Sequence, residues 1–445
     1  MPETASADER PSIGVIGGGI LGLTAALRFV QAGARVQVIE REERVGGLVT
    51  SFEVGGSHLE RFYHHLFRSD RDVQALIAEV GLADALVWPR PDTSVLYGGQ
   101  IYGLDSPLDV LRFTPLGILD RIRLAACLAY LKIENNYHRL EGQTAADWIR
   151  RWMGSGVYQV LWGPLLRSKF GAYAEQIAMP WFWSRVHLRS SRLGYVRGGF
   201  YRLYARLAEV LAAQGARISL GTEVRAIRSG DGQVEVETSQ GTEVFDRLLV
   251  TVPTRLFMRL AEGLPDDYRA DYDRGDFYGA HSVILELNRS LLNGIYWLNV
   301  NDPGFPFLAV VEHTNYMPAA DYDGLHVVYL GNYLPMSDPL FQEADAIVLE
   351  RFLGALKWVN PEFDTSWVVK SHVFKAPYAQ PIVTIDYHRH IPPHQTPLPG
   401  VYLANMFQVY PQDRGQNYSV RMANQVAKDV LDGLTGTDRT SAGSI

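Results

Sequence analysis

One segment near the start of the chain constrains the fold more than any other part of the sequence. Ile13–Ile16 is a short β-branched strand that runs into the glycine-rich stretch Gly17–Gly22. Leu23–Gln31 has the pattern of a helix, and Arg35–Ile39 that of a second strand, which ends at Glu40. This order predicts the βαβ unit of a dinucleotide-binding fold.

The glycine-rich stretch has small residues where such a fold needs them. Gly17 makes the tight turn, Gly19 lets a pyrophosphate approach the backbone, and Gly22 seats the helix on the sheet. The helix begins beside Ile20 and Leu21, so its unpaired N–H groups face the phosphates. We therefore expect all five residues to bind the cofactor.

The acidic residue at the end of the second strand indicates which adenosine ribose the ligand carries. A carboxylate at Glu40 accepts hydrogen bonds from a ribose diol and repels a 2′-phosphate. The ligand should therefore carry an unphosphorylated adenosine.

A second glycine pair, Gly46-Gly47, follows the acid and distinguishes flavin from nicotinamide binding. The run from Arg41 to Leu48 resembles the extended fingerprint of the FAD-dependent amine oxidase superfamily, in which this pair passes close to the pyrophosphate and flavin. The resemblance implies FAD as the cofactor. It adds Arg41, Gly47 and Leu48 to the expected cofactor-binding residues.

A central segment resembles the second cofactor-domain crossover of amine oxidases, phytoene desaturases and protoporphyrinogen oxidases. It contains Gly198-Gly199, an apolar helix at Leu203–Leu211 and a strand at Arg217–Leu220. In those families the residue that Val224 resembles contacts the adenine through its backbone, so Val224 is expected in the cofactor site.

The C-terminal segment resembles the family's last cofactor strand and the helix whose N-terminus approaches the flavin. The family's usual Gly-Asp at the strand end is replaced here by Asn405-Met406. The resemblance implies that Asn405 hydrogen-bonds a ribityl hydroxyl. It also implies that Gly415, Asn417 and Tyr418 lie beside the ring.

The resemblance implies an α/β fold, with a Rossmann-like FAD-binding domain built from discontinuous segments and an inserted α+β substrate domain. We assign residues 13–59, 195–255 and 395–432 to the FAD-binding domain, and residues 60–194 and 256–394 to the substrate-binding domain. The polar residues 1–12 are expected to be disordered and residues 433–445 to form a flexible tail.

Two histidines and one lysine are candidates for catalysis. His58 and His64 follow the glycine pair Gly55-Gly56, and an imidazole there handles a proton near neutral pH if the loop meets the flavin. The alternative is a polar loop packed under the cofactor, and no metal site is expected because the spacing fits no regular element. In amine oxidases a lysine reaches the flavin through water, and Lys375 is the candidate for that role by resemblance. Arg167 and Lys169 lie either on a helix rim or at an anchor for an anion.

The resemblance implies an oxidoreductase that removes a hydride from a C–H bond of a largely apolar substrate and passes electrons to oxygen or a quinone. A mutase-like flavoenzyme acting on a nucleotide or polyprenyl-linked sugar without net redox is one alternative. It is motivated by Arg61, Arg167 and Arg414 and by the likeness of Gly56-Ser57-His58 to UDP-galactopyranose mutases. A second alternative is a non-catalytic protein that binds partners through an FAD fold, as Rab GDP-dissociation inhibitors do.

The composition of the chain limits the kinds of partner and the cellular compartment that we expect. The net charge of −7 argues against a sequence-independent nucleic-acid binder. Cys127 is the only cysteine, so no dithiol is available and redox work would fall to the flavin. We expect a cytoplasmic protein, with membrane association as the alternative, because a single cysteine fits a reducing compartment. No apolar run approaches the ~20 residues that span a bilayer. Leu108–Ile133 is predicted to be a pair of amphipathic helices on a core, with shallow membrane contact or a tunnel for an apolar substrate as the alternatives.

Overall fold

The computed structural model describes residues 10–434. Most of the residues expected to be loose, 1–9 and 435–445, lie outside the described part. At the boundaries the expectation was wrong. Ser12 already belongs to the first strand, and Gly433 and Leu434 belong to the last helix.

The strands are β1 (Ser12–Ile16), β2 (Arg35–Ile39), β3 (Ser51–Val54), β4 (Ser57–Glu60), β5 (Leu66–Phe67), β6 (Leu86–Val87), β7 (Thr93–Tyr97), β8 (Gln100–Gly103), β9 (Leu193–Val196), β10 (Arg217–Ser219), β11 (Val224–Gly230), β12 (Gln233–Thr238), β13 (Gly241–Phe245), β14 (Arg247–Val250), β15 (Phe277–Leu287), β16 (Trp297–Val300), β17 (Ala309–Glu312), β18 (His326–Leu334), β19 (Val368–Pro381) and β20 (Val401–Leu403).

The helices are α1 (Ile20–Gln31), α2 (Arg71–Glu79), α3 (Pro107–Arg112), α4 (Ile118–Ile133), α5 (Ala145–Trp148), α6 (Ser155–Val157), α7 (Gly163–Phe170), α8 (Met179–His187), α9 (Tyr201–Ala213), α10 (Thr254–Leu260), α11 (Asp266–Tyr272), α12 (Pro339–Gln342), α13 (Asp345–Leu356) and α14 (Gln416–Leu434). Two π-helical turns, Ile149–Met153 and Tyr158–Trp162, connect α5, α6 and α7.

A five-stranded parallel sheet forms the centre of the cofactor-binding part. Its order is β10-β2-β1-β14-β20, so distant segments of the chain pair side by side. The β-branched and aliphatic residues of β1, β2 and β14 are buried on both faces, as is typical of a covered parallel sheet. Helices α1, α9 and α14 pack together through the buried cluster on one side. The antiparallel sheet β11-β12-β13 shares a second buried cluster with this sheet.

A seven-stranded sheet, in the order β19-β15-β18-β17-β16-β7-β8, forms the second large unit. Helix α13 packs on this sheet through Val348, Phe352 and Leu356. Helices α4, α5, α7 and α8 form a separate apolar layer beside it. The discontinuous α/β architecture expected from the sequence is confirmed, while the division into two functional domains stays a prediction. Within residues 10–434, no helix is both long and apolar enough to cross a membrane.

Candidate active site

The glycine loop between β1 and α1 closes on itself and leaves one face open. Gly17 has φ +110, and a Cβ built there would collide with the Thr251 hydroxyl. A Cβ on Gly22 would collide with the carbonyl oxygen of Gly17, so the helix can seat only on glycine. Gly19 differs, because a Cβ there would meet no protein atom within 4 Å. The space over Gly19 is therefore not filled by the protein.

The second glycine pair packs directly on this loop. The Gly46 N–H donates to the Gly18 carbonyl at 2.9 Å, and Gly46 has φ +142. A Cβ on Gly47 would lie 3.3 Å from the Cα of Gly19. The two glycine segments therefore share one edge of the sheet, and Leu48 follows immediately.

Glu40, which is expected to bind the adenosine, lies beside the first glycine loop. Its carboxylate accepts hydrogen bonds from the N–H of Gly18 at 2.6 Å and from the N–H of Glu42 at 2.9 Å. The Thr222 N–H donates to the Glu40 carbonyl at 2.9 Å, which brings the start of β11 at Val224 to the same edge. Arg41 points into solvent and pairs with Glu42 at 3.1 Å.

These residues fit a flavin dinucleotide. Helix α1 begins at Ile20, so the N–H groups of its first turn have no acceptor within the helix and face the open space over Gly19. A carboxylate oxygen accepts more than one hydrogen bond, so Glu40 can still accept from a ribose diol. Ile20 and Leu21 are buried in the core through their side chains, and only their backbone is available to a ligand.

Asn405, which is expected to contact the ribityl chain, already makes several hydrogen bonds within the protein. The Asn405 amide donates to the Val252 carbonyl at 3.0 Å and to the Thr254 hydroxyl at 3.2 Å, while its oxygen accepts from Phe407 N–H at 2.9 Å. A ribityl contact by Asn405 would therefore depend on the second lone pair of this oxygen.

Asn417 caps another helix. Its side-chain oxygen accepts from the N–H groups of Asp72 and Val73, at 2.9 and 3.2 Å, and so stabilises the start of α2. Gly415 precedes α14, and Tyr418 lies in the first turn of that helix, 5.7 Å below the guanidinium of Arg421. The first N–H groups of α14 have no acceptor within the helix, so a ligand at this terminus could accept hydrogen bonds from them.

A buried ionic cluster lies where α7, α8, β18, β19 and the N-terminus of α14 meet. Lys169 approaches the Asp413 carboxylate to 2.9 Å, Arg185 to 3.4 Å and Arg414 to 3.6 Å. Gln380 also donates to Asp413 and contacts the Arg414 guanidinium. Three cations therefore surround one carboxylate, which leaves an excess of positive charge.

The electrostatics of the cluster follow from burial and this imbalance. Burial alone would raise the pKa of Asp413, but Lys169, Arg414 and Arg185 hold it well below its usual range. Burial lowers the pKa of Lys169, which the attraction of Asp413 only partly offsets. The carboxylate is therefore ionised throughout the physiological range.

Two tyrosines extend the cluster towards an apolar wall. Arg414 donates to the Tyr333 hydroxyl at 2.7 Å, and Tyr63 is hydrogen-bonded to the same hydroxyl. Burial opposes ionisation of Tyr333, but Arg414 and Lys169 outweigh it and lower the pKa of this phenol. The wall beside Tyr333 consists of Leu48, Phe62, Ala280, Ala376 and Ala379.

The segment expected to be a loop is partly a strand: His58 lies in β4, and His64 and His65 lie in the loop between β4 and β5. The Nδ1 atom of His64 lies 2.6 Å from the Phe62 carbonyl, and since a carbonyl only accepts, Nδ1 carries the hydrogen and Nε2 carries a lone pair. Burial, with a smaller contribution from Arg414, lowers the pKa of His64 to about 4. His65 lies against Trp297, and burial lowers its pKa to about 3. His58 stacks on Tyr201, 4.0 Å between ring centres.

The structure does not bring Lys375 to the cluster. Its ammonium donates to the Glu343 carbonyl at 2.6 Å and lies 3.4 Å from Asp345, at the start of α13. Of the arginines considered for a diphosphate, only Arg414 belongs to the cluster. Arg61 lies over the Phe374 ring, and Arg167 lies against Gly163 of its own helix.

Sequence reasoning missed Asp413, Tyr333, Tyr63, Arg185 and Gln380. Arg185 lies in the last turn of α8, and no local sequence pattern placed it or the other four residues in a site. Among residues 10–434 no group of three or more metal-ligating side chains is gathered in a metal-binding arrangement.

The parallel sheet, the open glycine loop and the terminal acid define a protein that binds a dinucleotide through a Rossmann-type unit. The family described as flavin containing amine oxidoreductase matches residues 21–411. The chain therefore belongs to the flavin-containing amine oxidoreductase family, and its cofactor is FAD. The resemblance drawn from the glycine fingerprints is confirmed.

Two of the curated proteins that match this chain have names that refer to carotenoids. The chain is 26% identical over 245 residues to the Synechococcus elongatus protein named "Probable zeta-carotene desaturase", covering 48% of this chain and 51% of that protein. It is 23% identical over 293 residues to the carotenoid phi-ring synthase of Streptomyces griseus, covering 59% and 57%. The chain thus spans about half the length of these curated relatives.

Solved structures resemble the whole chain. Reduced UDP-galactopyranose mutase superposes with a TM-score of 0.75 at 17% identity, over 97% of this chain and 96% of the other. At that identity the likeness shows the fold alone.

Proposed function

We propose that the chain is an FAD-dependent oxidoreductase that removes a hydride from a C–H bond of a largely apolar substrate. The product would carry a new C–C or C–N double bond. When bound, FAD supplies the hydride acceptor, and oxygen or a quinone then takes up the two electrons. The names of the carotenoid-related relatives favour an apolar substrate.

One observation carries the proposal: a proton acceptor stands beside an apolar wall. Forming a double bond releases a hydride and a proton, so the site needs a base for the proton. We assign that role to Nε2 of His64, because the Phe62 carbonyl fixes the tautomer that leaves this nitrogen free. The wall is apolar and three of its residues are small, so a flat apolar body could lie against it, and Phe62 and Leu48 would help to exclude water.

The ionic cluster would position the substrate. Arg185 is the most exposed of its three cations, so it can meet a polar or anionic end of the ligand. The Tyr333 hydroxyl, already accepting from Arg414, can still hold a polar group by donating to it. The proposed substrate is therefore amphipathic, with its reacting carbon against the wall.

A mutase-like function is the second candidate. The excess of cations around Asp413 suits a diphosphate, and the fold likeness to UDP-galactopyranose mutase is consistent with such a ligand. It differs from the first proposal in having no net oxidation. The non-catalytic alternative is disfavoured, because the glycine loop and Glu40 are intact.

An anaerobic screen separates the two functions. The purified holoprotein is mixed with porphyrinogens, polyenes, amines and nucleotide sugars, and the visible absorbance of the flavin is followed. Lasting bleaching with release of an oxidised product supports the oxidoreductase. Turnover that returns an isomer and oxidised flavin supports the mutase and contradicts the first proposal.

The role of His64 is tested by His64→Asn. Asparagine keeps a donor for the Phe62 carbonyl but lacks the Nε2 base, so flavin reduction should slow by about 10²-fold or more while substrate affinity changes little. Because the pKa of His64 is lowered to about 4, the wild-type rate should fall only as the pH approaches 4. Lys375→Met is the matched control and should reduce flavin at the wild-type rate. Wild-type kinetics for His64→Asn would refute the assignment.

A further inference from the structure

Large apolar side chains are exposed together on one side of the helical layer. Nine of the fifteen that are exposed among the described residues lie within residues 101–152. Ile118 and Leu119 are 70% and 77% exposed. Six of these residues form one surface, which we call the α3–α4 face: Leu108, Leu111, Ile118, Leu119, Ile122 and Trp152.

These residues are held close to one another by the arginines of α4. Arg121 donates to the carbonyls of Leu116 and Leu111, both at 2.7 Å, and so ties α4 to the end of α3. Arg123 donates to the carbonyl of Trp152 at 3.1 Å. The core takes a different stripe of α4, which contains the buried Leu124 and Leu131. Helix α4 therefore has two apolar stripes, one in the core and one exposed. A helix with one buried stripe ordinarily has polar residues on its exposed side.

The rim of this face is cationic although the chain as a whole carries a charge of −7. Arg112, Arg123 and Arg151 are exposed around it, and the Arg151 guanidinium lies 5.2 Å from the centre of the Trp152 ring. Two acids belong to these helices. Asp109 accepts from the N–H and hydroxyl of Ser106, at 2.9 and 2.7 Å, while the Asp120 carboxylate and the Arg123 guanidinium face the same side of Gly154. One acid therefore lies near one of the three arginines, and the rim keeps an excess of positive charge.

We propose that the α3–α4 face docks on an anionic lipid surface. Its aliphatic side chains and Trp152 would enter the boundary between headgroups and acyl chains, and the three arginines would meet lipid phosphates. A second copy of the chain fits less well, because a two-fold contact through this face would set the arginines of one copy against those of the other. The inference does not depend on the reaction catalysed.

The position of the face relates it to the ionic cluster. Helix α4 packs on α8, and Lys132 donates to the carbonyls of His187 and Arg189 at the end of α8, at 3.1 and 2.5 Å. Helix α8 also carries Arg185 to the Asp413 carboxylate. A docked protein would therefore hold the ionic cluster one helix layer from the bilayer.

Vesicle flotation of the full-length holoprotein tests the proposal. Vesicles of dioleoylphosphatidylcholine alone are compared with vesicles containing equal parts of dioleoylphosphatidylglycerol, at low and high salt. The variant Leu119→Glu with Ile122→Glu removes the centre of the face. Ile347→Glu alters an exposed isoleucine on α13 and is the matched control.

The expected result is flotation with the anionic vesicles, weakened by salt and lost by at least tenfold in the double variant but not in the control. Flavin content and circular dichroism should be unchanged in both variants, since the altered side chains face solvent. Failure of the wild-type protein to float with anionic vesicles would overturn the proposal, as would equal binding of the double variant. A wild-type dimer that the double variant converts to a monomer, without flotation, would assign the face to self-association instead.

Discussion

Replacing Gly19 with valine separates cofactor binding from folding. Gly19 has an extended backbone, with φ −77 and ψ 177, that valine adopts without strain, and no protein atom lies within 4 Å of the new Cβ. Gly19 is also the N-cap of α1, where valine is a poorer residue, so the apoprotein should lose about 1 kcal/mol of unfolding free energy.

The side chain would instead occupy the space that we assign to the pyrophosphate. Displacing a phosphate from even one charge-assisted N–H bond costs about 1.5–3 kcal/mol of binding free energy, which raises the Kd for FAD by about 10- to 150-fold. The assay titrates FAD into apoprotein and follows flavin fluorescence, with thermal unfolding of the same samples. Gly354→Val, at an exposed glycine of α13 with equally open surroundings, is the control. A folded Gly19→Val protein that binds FAD as tightly as the wild type would refute this placement of the cofactor.

Three further outcomes are expected at charged residues. Burial raises the pKa of Glu60 from 4.5 to about 7, so the folded carboxyl holds its proton more tightly than the unfolded one. The free energy of unfolding should therefore fall by about 3 kcal/mol as the pH rises across that range, and Glu60→Gln should flatten this part of a Tm–pH curve. An unchanged slope would contradict the assignment. Asp413→Asn leaves Lys169 and two arginines without their counter-charge and should cost about 3–5 kcal/mol in urea unfolding. Lys375→Met removes a contact at the edge of α13 and should cost less than about 1 kcal/mol, and a loss equal to that of Asp413→Asn would contradict this ranking.

The parts of the fold that depend on residues close together in the sequence could be predicted from it. Gly17 has a positive φ and would meet the Thr251 hydroxyl with a Cβ, and Gly22 would meet the Gly17 carbonyl oxygen, so only glycine fits and the pattern carries the geometry. The position of Glu40 beside the glycine loop could also be predicted, because the parallel strands β1 and β2 end at the same edge of the sheet. The contact of Gly46 with Gly18 agrees with the family likeness.

The ionic cluster could not be predicted, because its members are distant in the sequence. Lys169 and Asp413 are 244 residues apart, and Tyr333 and Arg414 are 81 apart. No local pattern reports which buried carboxylate meets which cation. Only the packing of α7 against β18 and the start of α14 brings them together.

Other differences have simple physical causes. Side chains alternate along a strand, so Phe374 packs on Phe52 while Lys375 points to the opposite face, where α13 begins. The apolar pattern of α4 correctly predicted a helix. It could not indicate that Ile118 and Leu119 face solvent while Leu124 faces the core.

Counting electrons in a single anaerobic turnover tests the proposed oxidation most directly. Holoprotein is mixed with the substrate found in the screen, the flavin spectrum is recorded, and the product is weighed by mass spectrometry. An enzyme that removes a hydride and a proton should give one reduced flavin for each product molecule, and a product that has lost two hydrogen atoms. A product of unchanged mass with the flavin recovered in its oxidised form would contradict the proposed oxidation.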